Sequence, residues 1–201
     1  MFLFFESIKI ENNTAQRIEF HQKRINNTFV NFFPKSIIFQ LYEILNLDFL
    51  KNLDKNKTYK CRISYNEINF KIEILEYVER LKNIFYLIEK PELDYSFKYE
   101  NRSDFDYNLQ KNEELIFTQN GFITDTSYSN LIFLKDEKWF TPKTFLLNGT
   151  QRQYLLQKKL IQEMDISIDN YKQFSHFRLI NAMLNFNSSI IYSTEIITFK
   201  L

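Results

Sequence analysis

The pair Asn120-Gly121 stands between two short apolar runs, "LIFTQ" and "FITDT", and constrains the folding of this chain more tightly than any other local feature. An Asn-Gly pair in that setting predicts a two-residue β-hairpin, because both central residues must adopt backbone angles that Gly and Asn tolerate best. A second turn signal, "KDEK", separates "NLIFL" from "WFTP". The segment therefore predicts a three-stranded antiparallel meander with one acid, Asp125, in its middle strand. Ile123, Leu131 and Ile132 around it imply burial, and a buried carboxylate needs a cation or hydrogen-bond donors. Arg152 or another basic side chain would serve, and so would a protonated heterocycle.

Glycine is scarce: Gly121 and Gly149 are the only two among 201 residues, which excludes glycine-rich phosphate loops of the dinucleotide or P-loop type. Lys and Arg number 26 against 25 Asp and Glu, so no general attraction to nucleic acid or to an anionic membrane is expected. The lone Cys61 cannot pair internally and reads as an apolar strand residue. With two histidines, His21 and His176, and no carboxylate cluster beside either, no metal site is expected. The opening "MFLFF" lacks a basic leader and a cleavage site, and no run reaches about 18 apolar residues, so the expectation is a soluble cytoplasmic protein.

Alternation in "FLFFESIKI" predicts a strand, followed by an Asn-Asn turn and then "RIEF" as strand or helix start. "HQKRINNTFVNFF" has helical spacing up to Pro34, and "KSIIFQLYEILNLDFLKNL" predicts a longer amphipathic helix. "KTYKCRISY", "INFKIEILEYV" and "IFYLIEK" read as strands. Pro91 marks a lobe boundary, giving an α/β lobe over residues 1–90 and a second lobe over 91–201. "DFDYNLQKN" predicts a short helix. "TQRQYLLQKKLIQEM" predicts another, with Thr150 as N-cap and Gln153 completing a capping box. The tail reads as strand, bend and two short strands.

Two local features suggest anion binding, each with a plainer reading. The helix start at Gly149-Thr150 presents unpaired N–H groups to a phosphate or carboxylate, or is an ordinary capped helix. His21 and Arg24 share a helical face, where Arg24 could clamp a phosphate or simply join Lys23 in a solvated basic face.

Taken in order, "HQKR", "FKYENR", "ITDTSYSNLIF", "TP", "NGTQRQ" and "RLINAML" resemble the class IV aminotransferase family, pyridoxal-phosphate (PLP) enzymes of fold type IV. "FESIKI" is similar to that family's F-E-T-x-R strand. The resemblance implies a mixed α/β fold like that of D-amino acid aminotransferase, in two lobes with the cofactor between them, and a homodimer. It places Lys98 at the Schiff-base lysine and Asp125 at the carboxylate facing the pyridine nitrogen. Arg24, Gly149 and Thr150 fall on phosphate-binding positions, and Asn181 and Ala182 on a second segment near the phosphate. Phe97 and Tyr99 would keep the Lys98 amine in a dry setting. Asp125 departs from the family's usual Glu, and Ser103 stands where branched-chain enzymes carry Tyr. "FKYENR" and "RLINAML" are closer to aminodeoxychorismate lyase, which serves folate synthesis. The resemblance thus implies that lyase acting on a small amino substrate. An amino-acid transaminase and a non-catalytic relative acting as a binding module are the alternatives.

Overall fold

The computed structural model describes residues 1–45, 50–187 and 189–200. β1 (Phe4–Glu11) carries Phe4, Glu6, Ile8 and Ile10 on one face and Phe5, Ser7 and Lys9 on the other. Asn12 (φ 50) and Asn13 (φ 57) form the left-handed turn that returns the chain on β2 (Thr14–Ala15). The "RIEF" segment opens α1 (Ile18–Phe32), which buries His21, Ile25, Thr28 and Phe29 along one stripe.

Of the long helix expected after Pro34, the described residues keep a short turn, α2 (Leu41–Ile44), and helical residues 50 and 51, while residues 35–40 are not helical. Tertiary contacts override the local preference here. Gln22 donates to the Phe39 carbonyl (3.1 Å) and accepts from the Leu41 N–H (2.7 Å), occupying groups that a helix would use. Phe39 packs edge-on against Phe29 and Tyr65. Residues 46–49 of that expected helix lie outside the described residues.

β3 (Tyr59–Tyr65) and β4 (Phe70–Glu76) complete an antiparallel sheet of order β2-β1-β3-β4. Under it lies a core that includes Phe4, Ile8, Ile25, Phe29, Ile63 and Cys61, whose thiol is pushed up to about 12 by burial. Residues 97–101 run back along β1: the Phe5 N–H donates to the Lys98 carbonyl (3.0 Å) and the Glu100 N–H to that of Leu3 (2.8 Å).

Contacts divide the chain into two compact units, Met1–Val78 with Phe97–Asn101, and Glu79–Ser96 with Arg102–Leu201. A boundary at Pro91 falls inside the second unit, after β5 (Ile84–Glu89). That unit continues through β6 (Glu113–Gln119), β7 (Phe122–Thr126), β8 (Asn130–Lys135) and β9 (Lys138–Pro142). Asn120 (φ 52) and Gly121 (φ 77) make the predicted hairpin, and Asp136 (φ 48) and Glu137 (φ 60) make the second turn. The meander has four strands rather than three, because Ser127-Tyr128-Ser129 form a loop between β7 and β8.

The helix expected over "DFDYNLQKN" is only a 3-10 turn, Ser103–Phe105. Phe105 and Tyr107, two residues apart, both pack on Phe117, a spacing that suits extended chain and not a helix. α3 (Thr150–Gln157) is shorter than expected and is N-capped by Gly149 rather than Thr150. Lys159 takes φ 56 and turns "QEM" into β10 (Gln162–Met164), parallel to β9. β11 (His176–Ile180) lies along β8 and carries β12 (Tyr192–Ser193). β13 (Ile197–Phe199) lies parallel to β5. The core of this unit gathers Phe85, Ile116, Ile123, Leu131, Phe133, Phe177 and Leu179. Among the described residues no helix is long and apolar enough to cross a membrane.

Candidate active site

In the first unit Arg24 is held by an acid that the sequence reading did not single out. Its Nε donates to Glu6 Oε1 (2.8 Å) and its Nη2 to Oε2 (2.5 Å). His21 Nδ1 lies 2.6 Å from the same Oε2. Burial works to raise the Glu6 carboxyl, but the charge and hydrogen bonds of Arg24, helped by His21, outweigh it and hold the group at about 2. His21 is pushed down by burial, so its ring is neutral and donates Nδ1–H to the carboxylate. The signal for Glu6 was available: it is the one acid on the otherwise apolar face of β1.

Lys98 points to the opposite face of β1. Its Nζ sits 4.5 Å from the centre of the Phe5 ring. Phe97 packs on Phe32 (4.8 Å) and Tyr99 on Phe4 (5.4 Å), both on the α1 side. The flanking aromatics therefore do not wall the amine as expected. In an extended segment neighbours alternate, and Phe5 is the ring that Lys98 meets.

In the second unit Asp125 is 4% exposed. It accepts from Asn130 Nδ2 (2.7 Å) and from the N–H groups of Leu146 (3.0 Å) and Leu147 (2.8 Å). Burial nonetheless pushes its carboxyl up to about 7, against those donors and the more distant charge of Arg152. Arg152, one of the partners expected, instead donates to Glu163 (2.5 Å), the Pro142 carbonyl (3.1 Å) and Asn148 (3.3 Å). Among the described residues, the hydrogen-bond donors to Asp125 are all neutral.

Asn130, also missed in the sequence, ties this carboxylate to the start of α3. Its Nδ2 donates to the Leu147 carbonyl as well (2.8 Å), and its Oδ1 occupies the space that a Cβ at residue 149 would need. Gly149 is thus required by Asn130, and as N-cap it brings no side-chain acceptor to the first turn of α3. Gln153 donates to the Asn148 carbonyl (2.9 Å) instead of completing a capping box. Asn181 donates to Ser129 Oγ (2.9 Å) and accepts from the N–H groups of Met183 (2.8 Å) and Leu184 (3.2 Å), closing a turn that contains Ala182. The Ser127–Ser129 loop is held on its other side by buried Glu114, which accepts from Ser127 Oγ (2.6 Å), and by Arg102, which donates to the Ser127 carbonyl.

Asp125, Asn130, Gly149, Thr150 and Asn181 are therefore linked within the second unit, and Glu6, His21 and Arg24 within the first. Arg24 and Lys98 belong to the first unit, and the other five expected site residues to the second. Among the described residues no group of three or more His, Cys, Asp or Glu could hold a metal ion.

Residues 106–187 match the family described as amino-transferase class IV. A Haemophilus influenzae protein, named only as uncharacterised, is 34% identical over 186 residues, 91% of this chain and 98% of that one. The crystal structure of a "putative 4-amino-4-deoxychorismate lyase" from Haemophilus somnus is 32% identical with a TM-score of 0.85, covering 91% of this chain and 97% of that one. The structure of 4-amino-4-deoxychorismate lyase from Pseudomonas aeruginosa shares the fold, with a TM-score of 0.65 at 15% identity over 95% of this chain and 81% of that one. On these matches, the chain belongs to the class IV aminotransferase family, a family of pyridoxal-phosphate-dependent enzymes.

Proposed function

We propose that the protein is a PLP-dependent lyase that converts 4-amino-4-deoxychorismate to 4-aminobenzoate and pyruvate. The observation that carries the cofactor assignment is Asp125, a buried carboxyl pushed up to about 7 among neutral donors. Such a group gains most from a cationic ring nitrogen, whose charge would bring it back to the ionised form. The N-terminus of α3 at Gly149 and Thr150 suits a phosphate dianion. By resemblance to the family, Arg24 and the Asn181-Ala182 turn are assigned to the same phosphate. The lyase reading is supported by the names of the similar proteins from Haemophilus somnus and, over 87 residues at 33% identity, from Schizosaccharomyces pombe.

When bound, PLP supplies an electron sink for the carbon that bears the substrate amine. Lys98 supplies the amine that holds the cofactor and then, once released, takes the proton from that carbon as general base. As the electrons of that C–H bond form a ring double bond, the neighbouring C–O bond would break, leaving the substrate ring aromatic, and the enolpyruvate released would take up a proton to become pyruvate. Asp125 keeps the ring nitrogen charged, and Asn130 keeps Asp125 aimed.

The test is the absorbance spectrum of purified protein incubated with PLP, before and after borohydride, with the label mapped by mass spectrometry. Label at Lys98, lost in Lys98→Ala together with pyruvate release from aminodeoxychorismate, is the expected result. A protein that stays colourless with PLP would falsify the cofactor assignment. Amino transfer without pyruvate release would replace the lyase by a transaminase.

A further inference from the structure

Lys98 shares the Phe5 ring with Arg62. Phe5 lies opposite Ser64 and Ser7 opposite Arg62 in the β1–β3 ladder, so Arg62 and Ser64 lie on the Phe5 face of the sheet. The Arg62 guanidinium carbon is 3.7 Å from the centre of the Phe5 ring, and Lys98 Nζ is 4.5 Å from that same centre. Phe5 itself is 5% exposed, so one buried ring contacts both the amine and the guanidinium. Arg62 is further oriented by Glu100: Nη2 donates to Oε1 at 2.8 Å, and Glu100 Oε2 accepts from Ser64 Oγ at 3.3 Å. A guanidinium has five N–H donors. Among the described residues only the Glu100 contact uses one, while the side chain is 26% exposed. Stacking and a single ion pair thus hold a planar, permanently charged donor group in place, with part of it reached by solvent and its other N–H groups bonded to no acceptor among the described residues.

We propose that Arg62 is the substrate's carboxylate-binding residue. Its remaining N–H groups receive a carboxylate that lies several bonds from the amine-bearing carbon on which Lys98 acts. This rests on the proposed function and sharpens it: the preferred substrate class is a cyclic amine bearing a remote carboxylate, not an amine lacking one. The plainer alternative is that Arg62 serves only the ion pair with Glu100, and the two readings predict different variants.

The experiment measures binding of 4-aminobenzoate and of aniline, which lacks the carboxylate, by calorimetry on PLP-loaded protein. It compares wild type with Arg62→Ala, Arg62→Lys and Glu100→Gln, alongside cofactor absorbance, KM and kcat. Arg62→Ala is expected to weaken 4-aminobenzoate at least tenfold and to raise the substrate KM more than it lowers kcat. Aniline binding and the cofactor spectrum stay as in wild type, Arg62→Lys recovers part of the loss, and Glu100→Gln does not reproduce it. Unchanged 4-aminobenzoate binding in Arg62→Ala overturns the inference. So does an equal loss for both ligands, or a Glu100→Gln variant that matches Arg62→Ala. A wild-type protein that takes up no PLP defeats the underlying reading instead, a result visible before any variant is made.

Discussion

Asp125 carries a carboxyl that the fold itself makes costly to ionise. Its pKa rises from 3.8 to about 7 because burial outweighs three neutral donors. A raised carboxyl stabilises the fold below the unfolded value, and that stability is lost as pH rises through the folded value. From 3.8 to about 7 the loss is on the order of 4 kcal/mol. Cofactor-free Asp125→Asn is therefore expected to be more stable than wild type at pH 8, with the gap closing toward pH 4 in denaturant titrations. Added PLP should reverse the order at pH 8, since only the carboxylate gains from a cationic partner. Glu6 has the opposite sign. Its carboxyl is lowered from 4.5 to about 2, so its contribution is present above pH 4.5 and is lost as pH falls through 2. Glu6→Gln leaves Arg24 buried without its counter-charge and should cost about 3 to 5 kcal/mol at pH 7. That cost should shrink in acid, a trend that equilibrium unfolding at pH 7 and pH 3 reads directly.

At the scale of elements, the start of α3 depends on β8. Asn130 bonds Asp125 and Leu147 and fills the space beside Gly149, so a methyl group at residue 149 forces Asn130 away from both. Gly149→Ala should lower stability by about 2 kcal/mol or more and abolish the yellow colour of PLP-treated protein. A variant that keeps both would show that Asn130 and Asp125 are not coupled in this way. Most strands and turns were legible because their signals are local: Asn12-Asn13 and Asn120-Gly121 tolerate left-handed backbone whatever surrounds them. The helix expected after Pro34 failed for the complementary reason. Gln22, on α1, takes the backbone groups of Phe39 and Leu41, and no reading of residues 35–53 alone contains Gln22.

For the whole molecule, the two units should respond to pH in opposite directions. Hydrogen exchange, corrected for intrinsic rates, is expected to lose protection in β1 and α1 as pH drops from 5 toward 2.5. In cofactor-free protein, β7 and α3 should lose protection as pH rises from 5 to 8. Loss of protection in both units on the same side of pH 5 would contradict the assignments of Glu6 and Asp125. The sequence by itself determined most strand runs, the Asn-containing turns, and the order of the motifs that hold Lys98, Asp125 and Gly149. Those follow from steric preference and hydrogen bonding within a few residues. Only the tertiary structure decided which partner each charged group meets: Glu6 for Arg24, Phe5 for Lys98, Asn130 for Asp125. Asn130 is five residues from its partner across a loop, Glu6 is 18 from Arg24, and Phe5 is farther still from Lys98. Such contacts depend on which strand pairs with which and which face each residue takes, and neither is written into local preference.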